Sequence, residues 1–193
     1  LAWRGSLGSG VDFDIGAFYL AYHDRIGLIS GVDSLGTPFT ERTNVANSVH
    51  KGIESYVAVR PLSLLGAPAR LGAVGLFDAL GYTHARYTPG SFAGNSVEYA
   101  PAIVNRAGIT YDLSRLSTMM QWSATSKQFG DANNTVASYD ATLGIIPAYQ
   151  VVDLSAKYTL TPRTSLGAGV NNLTNLQYFT FRTSEYPGPG IIP

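Results

Sequence analysis

Residues 150–160 read QVVDLSAKYTL, and from Val152 onward apolar and polar side chains alternate without a break. One side of an extended chain would carry Val, Leu, Ala, Tyr and Leu, and the other Asp, Ser, Lys and Thr. Residues 116–127 alternate in the same way, with Leu116 and Trp122 against Gln121. A period of two is typical of a strand that separates two unlike environments. The pattern predicts a sheet with one apolar and one polar face.

The same reading along the chain predicts about eight strands joined as antiparallel hairpins. Their expected spans are 1–7, 11–29, 39–60, 70–87, 97–111, 115–129, 146–160 and a last strand that begins at Thr164. Most exceed the ~5–6 residues of an ordinary globular strand and reach the ~9–11 that a bilayer-crossing strand needs. Short polar turns alternate with long loops rich in Gly, Ser, Asn and Pro. Both features are typical of a transmembrane β-barrel, and the fold class predicted is an all-β antiparallel meander.

The composition agrees with a strand-built membrane protein. Only 13% of the 193 residues are charged, against about 25% in ordinary soluble domains, while 45% are hydrophobic. Tyr is the commonest aromatic residue, with 12 copies, and its amphipathic ring suits a membrane interface. The net charge is zero and no basic run occurs, which argues against nucleic-acid binding. No Cys is present, which excludes disulfides and thiolate metal sites.

An open meander is a poor match for lipid, because each unpaired backbone group there costs several kcal/mol. The sequence begins with Leu1 inside a predicted strand. We therefore expect residues 1–193 to form a single, incomplete barrel domain whose remaining strands belong to a longer protein. No apolar run approaches the ~20 residues of a transmembrane helix.

Several short motifs, taken in order, resemble those of TonB-dependent outer-membrane receptors of the ferric-citrate and siderophore type. They are FYLAYHDRI at residues 18–26, NVANSVHKGIE at 44–54, YAPAIVNRAG at 99–108, GVNNL at 169–173 with QYF at 177–179, and RTSEYPGPGIIP at 182–193. Thr174-Asn175 departs from the aromatic-acidic pair that the family usually has there. The resemblance is carried by the order and spacing of the motifs, which cover most of the chain.

The resemblance implies a sector of a barrel of roughly 22 strands that lacks the N-terminal plug and the last strand. It implies uptake of a ferric siderophore or ferric citrate across the Gram-negative outer membrane, and no enzymatic activity or cofactor. TonB, ExbB and ExbD would act as partners through the absent plug. Outer-membrane lipid would surround the barrel wall.

If the short turns face the periplasm, the outer rim lies near residues 25–40, 85–98, 128–147 and 173–193. An anionic iron chelate would favour Arg and Tyr there, because guanidinium pairs bidentately with carboxylates. The candidate ligand-binding residues are Arg42, Arg86, Tyr87, Gln128, Tyr178 and Arg182. Each could equally be a solvated loop or lumen residue. Asp24 and Arg25 could form an ion pair at this rim.

Three other classes of protein stay open at this point. A passive porin or an autotransporter barrel would share the strand pattern, and a barrel hydrolase would need a nucleophile beside a histidine. No motif joins His23, His50 or His84 to such a group, so no catalytic or metal site is predicted. A soluble β-sandwich would have shorter strands around a core between two layers.

Overall fold

The computed structural model describes residues 1–137 and 143–182. Their main feature is one eight-stranded antiparallel sheet, accompanied by a two-stranded ribbon. The strands are β1 (Ala2–Leu7), β2 (Val11–Val32), β3 (Pro38–Val59), β4 (Ala73–Tyr87), β5 (Ile103–Leu113), β6 (Leu116–Thr125), β7 (Gln128–Phe129), β8 (Ile145–Ile146), β9 (Tyr149–Thr161) and β10 (Thr164–Val170). A short helix, α1 (Pro61–Leu64), and a 3-10 turn at Ala69–Leu71 link β3 to β4.

Strands that follow one another in sequence lie side by side in the sheet, in the order β1-β2-β3-β4-β5-β6-β9-β10, while β7 and β8 form the ribbon. The predicted all-β meander of eight strands is therefore confirmed. Within residues 1–137 and 143–182, no helix has the length and apolarity to cross a bilayer. The expected loop beyond residue 182 lies outside the described residues.

Several predicted bounds differ from those of the structure. The fifth strand begins at Ile103 instead of Val97, because Pro101 has no N–H for a ladder and the residues before it enter a loop. The sixth strand ends at Thr125, and Gln128–Phe129 pairs separately with Ile145–Ile146. The expected turn over residues 61–69 contains α1, with Pro61 at the start of the helix, where its missing N–H costs nothing.

The register confirms the two predicted faces. Met120 lies opposite Ile109 and Leu154, which places these side chains on one apolar face. One residue along, Gln121 lies opposite Asp153, on what we call the polar face. Large apolar side chains remain exposed on the apolar face, including Trp3, Ile53, Met120, Leu154 and Leu166. The apolar face also carries polar residues, among them Asn105, whose Nδ2 donates to Asp78 Oδ1 at 2.9 Å.

The two edges of the sheet differ. Compact connections join β1 to β2, β5 to β6 and β9 to β10 at what we call the short-turn edge. The connections over residues 88–102 and 126–148 lie at the opposite, long-loop edge. At this edge the β2–β3 hairpin projects beyond the rest of the sheet. Pairing between β3 and β4 stops where Ser48 lies opposite Tyr87, whereas pairing between β2 and β3 continues to Val32 opposite Pro38.

The buried core lies under the long loops rather than between two layers. Ala85, Tyr87, Val97 and Ala132 form a buried cluster, and each has less than a tenth of its surface exposed. Tyr87 contributes the largest of these side chains and is 2% exposed. A β-sandwich would bury the strands themselves, so the described residues argue against that alternative.

Candidate functional site

A charged cluster lies beneath the loop that joins β4 to β5. Arg25 Nη1 donates to Glu98 Oε1 at 2.9 Å and to the Tyr87 hydroxyl at 2.8 Å. The same hydroxyl donates to the second Glu98 oxygen. The Glu98 side chain is 4% exposed and that of Arg25 is 25% exposed. Each oxygen of the buried carboxylate thus has a donor, and we call Arg25, Tyr87 and Glu98 the Glu98 cluster.

The phenols at this edge are held in the protonated form. Burial is the main cause that raises the pKa of the Tyr87 hydroxyl, and the hydrogen bond to Glu98 raises it further. Tyr87 is the last residue of β4 and lies beyond Tyr82, at the long-loop end of the strand. Burial also raises the pKa of the loop residue Tyr99, whose hydroxyl donates to the backbone oxygen of Arg182 at 3.0 Å. Both hydroxyls therefore serve as hydrogen-bond donors at neutral pH.

The path of β2 brings Arg25 to this cluster. The β2–β3 register shifts between Tyr22 and Arg25, and Asp24 takes a left-handed conformation with φ of 52°. A bulge of this kind changes the direction in which the side chains after it point. Arg25 consequently pairs with Glu98, and the expected rim ion pair between Asp24 and Arg25 is corrected. The backbone N–H of Asp24 donates to Asn47 Oδ1 at 2.9 Å.

Gly27 allows β2 to approach the cluster closely. A Cβ atom at this position would lie 2.6 Å from Glu98 Oε1 and 2.9 Å from the Tyr87 hydroxyl. Both separations are shorter than a side-chain carbon tolerates, so only glycine lets the strand pass here.

A second set of contacts joins the two long loops to each other. Asn134 Oδ1 accepts from the Ser96 N–H at 2.7 Å, and Asn134 Nδ2 donates to the Ser96 carbonyl at 2.8 Å. Asn95 Nδ2 donates to the Ala132 carbonyl at 2.8 Å. The loop after β6 is thereby clamped onto the loop after β4.

Four of the six predicted ligand-binding residues lie in this layer of packed loops. Tyr87 belongs to the Glu98 cluster, and Gln128 Nε2 donates to the Thr180 carbonyl at 3.4 Å. Arg182 Nη2 donates to the Ile145 carbonyl at 3.0 Å. The Tyr178 ring stacks on another aromatic ring, Tyr149, with 4.5 Å between centroids. All four side chains thus have partners within the protein, by hydrogen bonds in Tyr87, Gln128 and Arg182 and by ring stacking in Tyr178.

The other two predicted residues, Arg42 and Arg86, are exposed and point away from the polar side. Arg86 lies opposite Val49, on the apolar face, and donates to the Gly94 carbonyl at 3.1 Å. Thr43 lies opposite Gly27, and Arg42 is its neighbour in β3. Successive residues of a strand point to opposite sides, so Arg42 points away from the Glu98 cluster. A shift of one residue exchanges the two faces of a strand. The alternation of β2 blurs at residues 18–20, where a bulge is possible from sequence, but the register shifts between Tyr22 and Arg25.

The sequence interpretation missed Arg25 and Glu98 as a pair, and it also missed Arg106. Arg106 lies on the polar face beside a recess of about 370 Å³, which Gln121, Ser123 and Tyr178 also line. The alternation within β5 could have placed Arg106 on this face. Nothing local in the sequence pairs Arg25 with Glu98, because 73 residues separate them.

The described residues include no group of three His, Asp or Glu side chains able to hold a metal ion. Beside the buried carboxylates of Glu98 and Asp131, the long-loop edge carries guanidinium, hydroxyl and amide groups. These groups bind anions and polar ligands by hydrogen bonds and charge.

A long antiparallel meander with one apolar and one polar face defines the wall of a β-barrel. The chain belongs to the TonB-dependent receptor-like β-barrel family, whose family model matches residues 1–173. A comparison with curated proteins gives no match.

Solved structures share the fold at low sequence identity. The ferric citrate transporter FecA, in its unliganded form, is 22% identical with a TM-score of 0.74 and aligns over 89% of this chain and 25% of its own. The copper transporter OprC is 17% identical with a TM-score of 0.67, over 92% of this chain and 25% of its own. The ferric yersiniabactin uptake receptor FyuA from Yersinia pestis is 17% identical with a TM-score of 0.66, over 92% and 24%. The chain spans about a quarter of the length of these proteins.

Proposed function

We propose that this chain forms part of the wall and outer loops of a TonB-coupled receptor that imports a ferric siderophore or ferric citrate. The observation that carries the proposal is the family match over residues 1–173. The names of two solved structures with this fold, FecA and FyuA, describe ferric citrate transport and ferric yersiniabactin uptake. We extend that class of cargo, an iron chelate, to this chain.

We place the sheet in the Gram-negative outer membrane, with its apolar face toward lipid. Tyr111 and Tyr82 lie on this face, and Tyr111 is opposite Val74. From the level of Val74 to Tyr82 is about 26 Å along β4, at ~3.3 Å per residue. Because barrel strands tilt by about 35–45°, this length rises roughly 20 Å along the membrane normal, somewhat less than the ~25 Å apolar band that aromatic rings border in outer-membrane barrels. This spacing supports a span across one bilayer.

We assign the short-turn edge to the periplasm and the long-loop edge to the cell exterior, because outer-membrane barrels have short periplasmic turns and longer extracellular loops. Ligand contacts would then come from polar-face residues near the long loops. Tyr178 is the sequence-predicted residue that lines the recess on this face. Energy coupling would come from TonB, ExbB and ExbD, acting through the plug domain of the complete receptor.

The test is growth on single iron sources. A strain lacking the full gene should fail to grow on one ferric chelate, such as ferric citrate, and regain growth when the gene is restored. The same rescue should require TonB, since uptake through this family is energised. Equal growth of mutant and parent on every ferric chelate supplied would contradict the proposal. Rescue that does not need TonB would favour a passive porin instead.

A further inference from the structure

The connection between β3 and β4 differs from the other connections at the short-turn edge. The β1–β2, β5–β6 and β9–β10 connections are tight turns, such as Gly8-Ser9-Gly10, whereas residues 60–72 contain α1 and a 3-10 turn. Residues 61–71 read PLSLLGAPARL, and Arg70 is their only charged residue. A connection that faces water is normally polar, so this composition is unusual for its position. We call residues 61–71 the leucine connection.

Three leucines of this connection are left uncovered by the sheet. Leu65 is 81% exposed, Leu64 is 54% exposed and Leu71 is 50% exposed. Single exposed apolar side chains are normal on a protein surface. Three of them between residues 64 and 71, in a segment with a single charge, form an apolar patch that indicates a contact surface.

The first half of the leucine connection is fixed against the neighbouring turn. A Cβ atom at Gly10 would collide with the Leu64 side chain, so Leu64 packs directly on the β1–β2 turn. The hydroxyl oxygens of Ser9 and Ser63 lie 3.1 Å apart and share a hydrogen bond. Because α1 is held in this way, Leu65, which follows it, has a defined place at the edge of the sheet.

The second half lies at the border of the apolar face. The Tyr111 hydroxyl donates to the Leu71 carbonyl at 3.2 Å. A Cβ atom at Gly72 would lie 3.0 Å from Tyr111 Cε2 and 3.3 Å from the Cβ atom of Leu113. Tyr111 is the aromatic residue at the short-turn border of the apolar face, and Leu113 follows it on the same face. The leucine connection therefore continues the apolar face beyond its aromatic border.

We infer that the leucine connection lies in the periplasmic leaflet of the outer membrane and binds phospholipid there. Leu65 and Leu71 contact acyl chains, and the Arg70 guanidinium binds a phosphate group. An arginine can bury its aliphatic stem among apolar groups while its charged end stays at the level of the headgroups. This inference rests on the proposed function, because it takes the apolar face as lipid-facing and the short-turn edge as periplasmic.

Two features favour phospholipid as the occupant of this patch. The patch is continuous with the apolar face through Tyr111 and Leu71, and that face meets lipid in the proposed orientation. The connection also has a cation and no acidic residue, which matches the charge of a phosphate group. Segments that combine exposed leucine with arginine are typical of interfacial membrane anchors. A protein surface that covers the leucines is the competing occupant, and the experiment separates the two.

The experiment uses the full-length receptor in vesicles of phosphatidylethanolamine and phosphatidylglycerol. A nitroxide spin label is attached to the only cysteine of each of three variants, Leu65→Cys, Leu154→Cys and Arg163→Cys. Leu154 lies on the apolar face, and Arg163 lies in the exposed β9–β10 turn at the same edge as the leucine connection. Collision rates of each label with oxygen, which enters lipid, and with a water-soluble nickel chelate are measured.

The ratio of oxygen to nickel collisions at Leu65→Cys should exceed that at Arg163→Cys by at least about threefold, because an interfacial segment sits ~5–10 Å into the headgroup and acyl boundary. Leu154→Cys should give the highest ratio of the three. Adding Arg70→Glu to Leu65→Cys should lower the ratio by about half or more, since it replaces the phosphate contact with repulsion. Adding Arg70→Lys, which keeps the charge, should preserve most of it.

Equal ratios at Leu65→Cys and Arg163→Cys would overturn the inference, because both labels would then lie in water. Low collision rates of the Leu65→Cys label with both reagents would also overturn it, since the leucines would be covered by protein. An unchanged ratio in Arg70→Glu would overturn the assignment of a phosphate to Arg70. A Leu154→Cys label in water would instead show that the proposed membrane orientation, and with it the proposed function, is wrong.

Discussion

The two edges of the sheet use the same ion-pair chemistry for different purposes. At the short-turn edge, Arg4 Nε donates to Asp14 Oδ2 at 2.8 Å, and the two side chains are 80% and 35% exposed. At the long-loop edge, Arg25 and Glu98 are 25% and 4% exposed. The first pair joins neighbouring strands that the β ladder already holds together. The second joins a strand to a loop 73 residues away in sequence.

The difference shows how a single-layer sheet can keep structured loops at one of its edges. A solvent-exposed ion pair is weakened by water and by salt. The net contribution of a buried ion pair to stability is small, because the cost of desolvating the two charges offsets their attraction. Removing one member is nevertheless strongly destabilising, because the other charge stays buried without a partner. We therefore expect damage at the long-loop edge to be severe and local, and damage at the short-turn edge to be slight.

The largest effect should come from Glu98→Ala. It leaves Arg25 without its carboxylate and the Tyr87 hydroxyl without its acceptor. The local free energy of opening of the β4–β5 loop should fall by about 3–5 kcal/mol. Hydrogen exchange of the amides of residues 88–102 in the full-length receptor measures this loss. Glu98→Gln, which keeps the shape and one acceptor, should lose less, and equal protection in Glu98→Ala and the parent would contradict the prediction.

Gly27→Ala should have the next largest effect, at about 1–3 kcal/mol, because the new methyl group overpacks the cluster. Its Cβ would lie 2.6 Å from Glu98 Oε1. Gly16→Ala is the matched control in the same strand, where the nearest atom would be 3.6 Å away. Exchange protection of the loop should decrease in the first variant and stay unchanged in the second. Equal behaviour of the two variants would show that close approach at Gly27 is unimportant.

Asn134→Leu should cost about 1–3 kcal/mol of loop stability, because the Ser96 N–H and carbonyl lose their partner. Asn134→Asp keeps the acceptor and loses the donor, so its effect should be intermediate. Limited proteolysis of the loops in the full-length receptor ranks the parent, Asn134→Asp and Asn134→Leu by the resistance of their loops to cleavage. Resistance in the Leu variant equal to that of the parent would indicate that this clamp is dispensable.

The smallest effect should come from Arg4→Ala at the short-turn edge, about 0–1 kcal/mol. The ladder between β1 and β2, which runs from Ala2 opposite Gly16 to Leu7 opposite Val11, remains intact. Amide exchange in β1 should change little at any salt concentration. A loss as large as that of Glu98→Ala would remove the distinction between the two edges.

Much of the wall was predictable from alternation, because a strand between lipid-like and polar surroundings repeats every two residues. Residues 150–158 and 116–125 reach the expected faces in the expected antiparallel order. The boundary at Val97 was not predictable in this way, because Val97 and Glu98 are buried by the loop that contains them. Apolar residues in a packed loop look like a strand when only their order is known.

The candidate site was predicted less well, for a reason that Arg86 and Arg106 illustrate. Arg86 was chosen for its position near the outer rim, yet it lies on the apolar face opposite Val49. Arg106 was overlooked, yet it lies on the polar face at the recess. Rim position follows from strand length, whereas the direction of a side chain depends on the register of its strand and on bulges.

By itself, the sequence determined the number and order of the long strands, their two faces and the hairpin connections, since each follows from contacts between neighbours in the chain. Tertiary structure alone decided which side chains meet at the long-loop edge. Glu98, Tyr87 and Arg25 come together because a bulge, a glycine and two folded loops converge, and each of these positions is set by residues far away in sequence. Long-range pairing of buried charges has no local periodicity, so only the assembled fold reveals it.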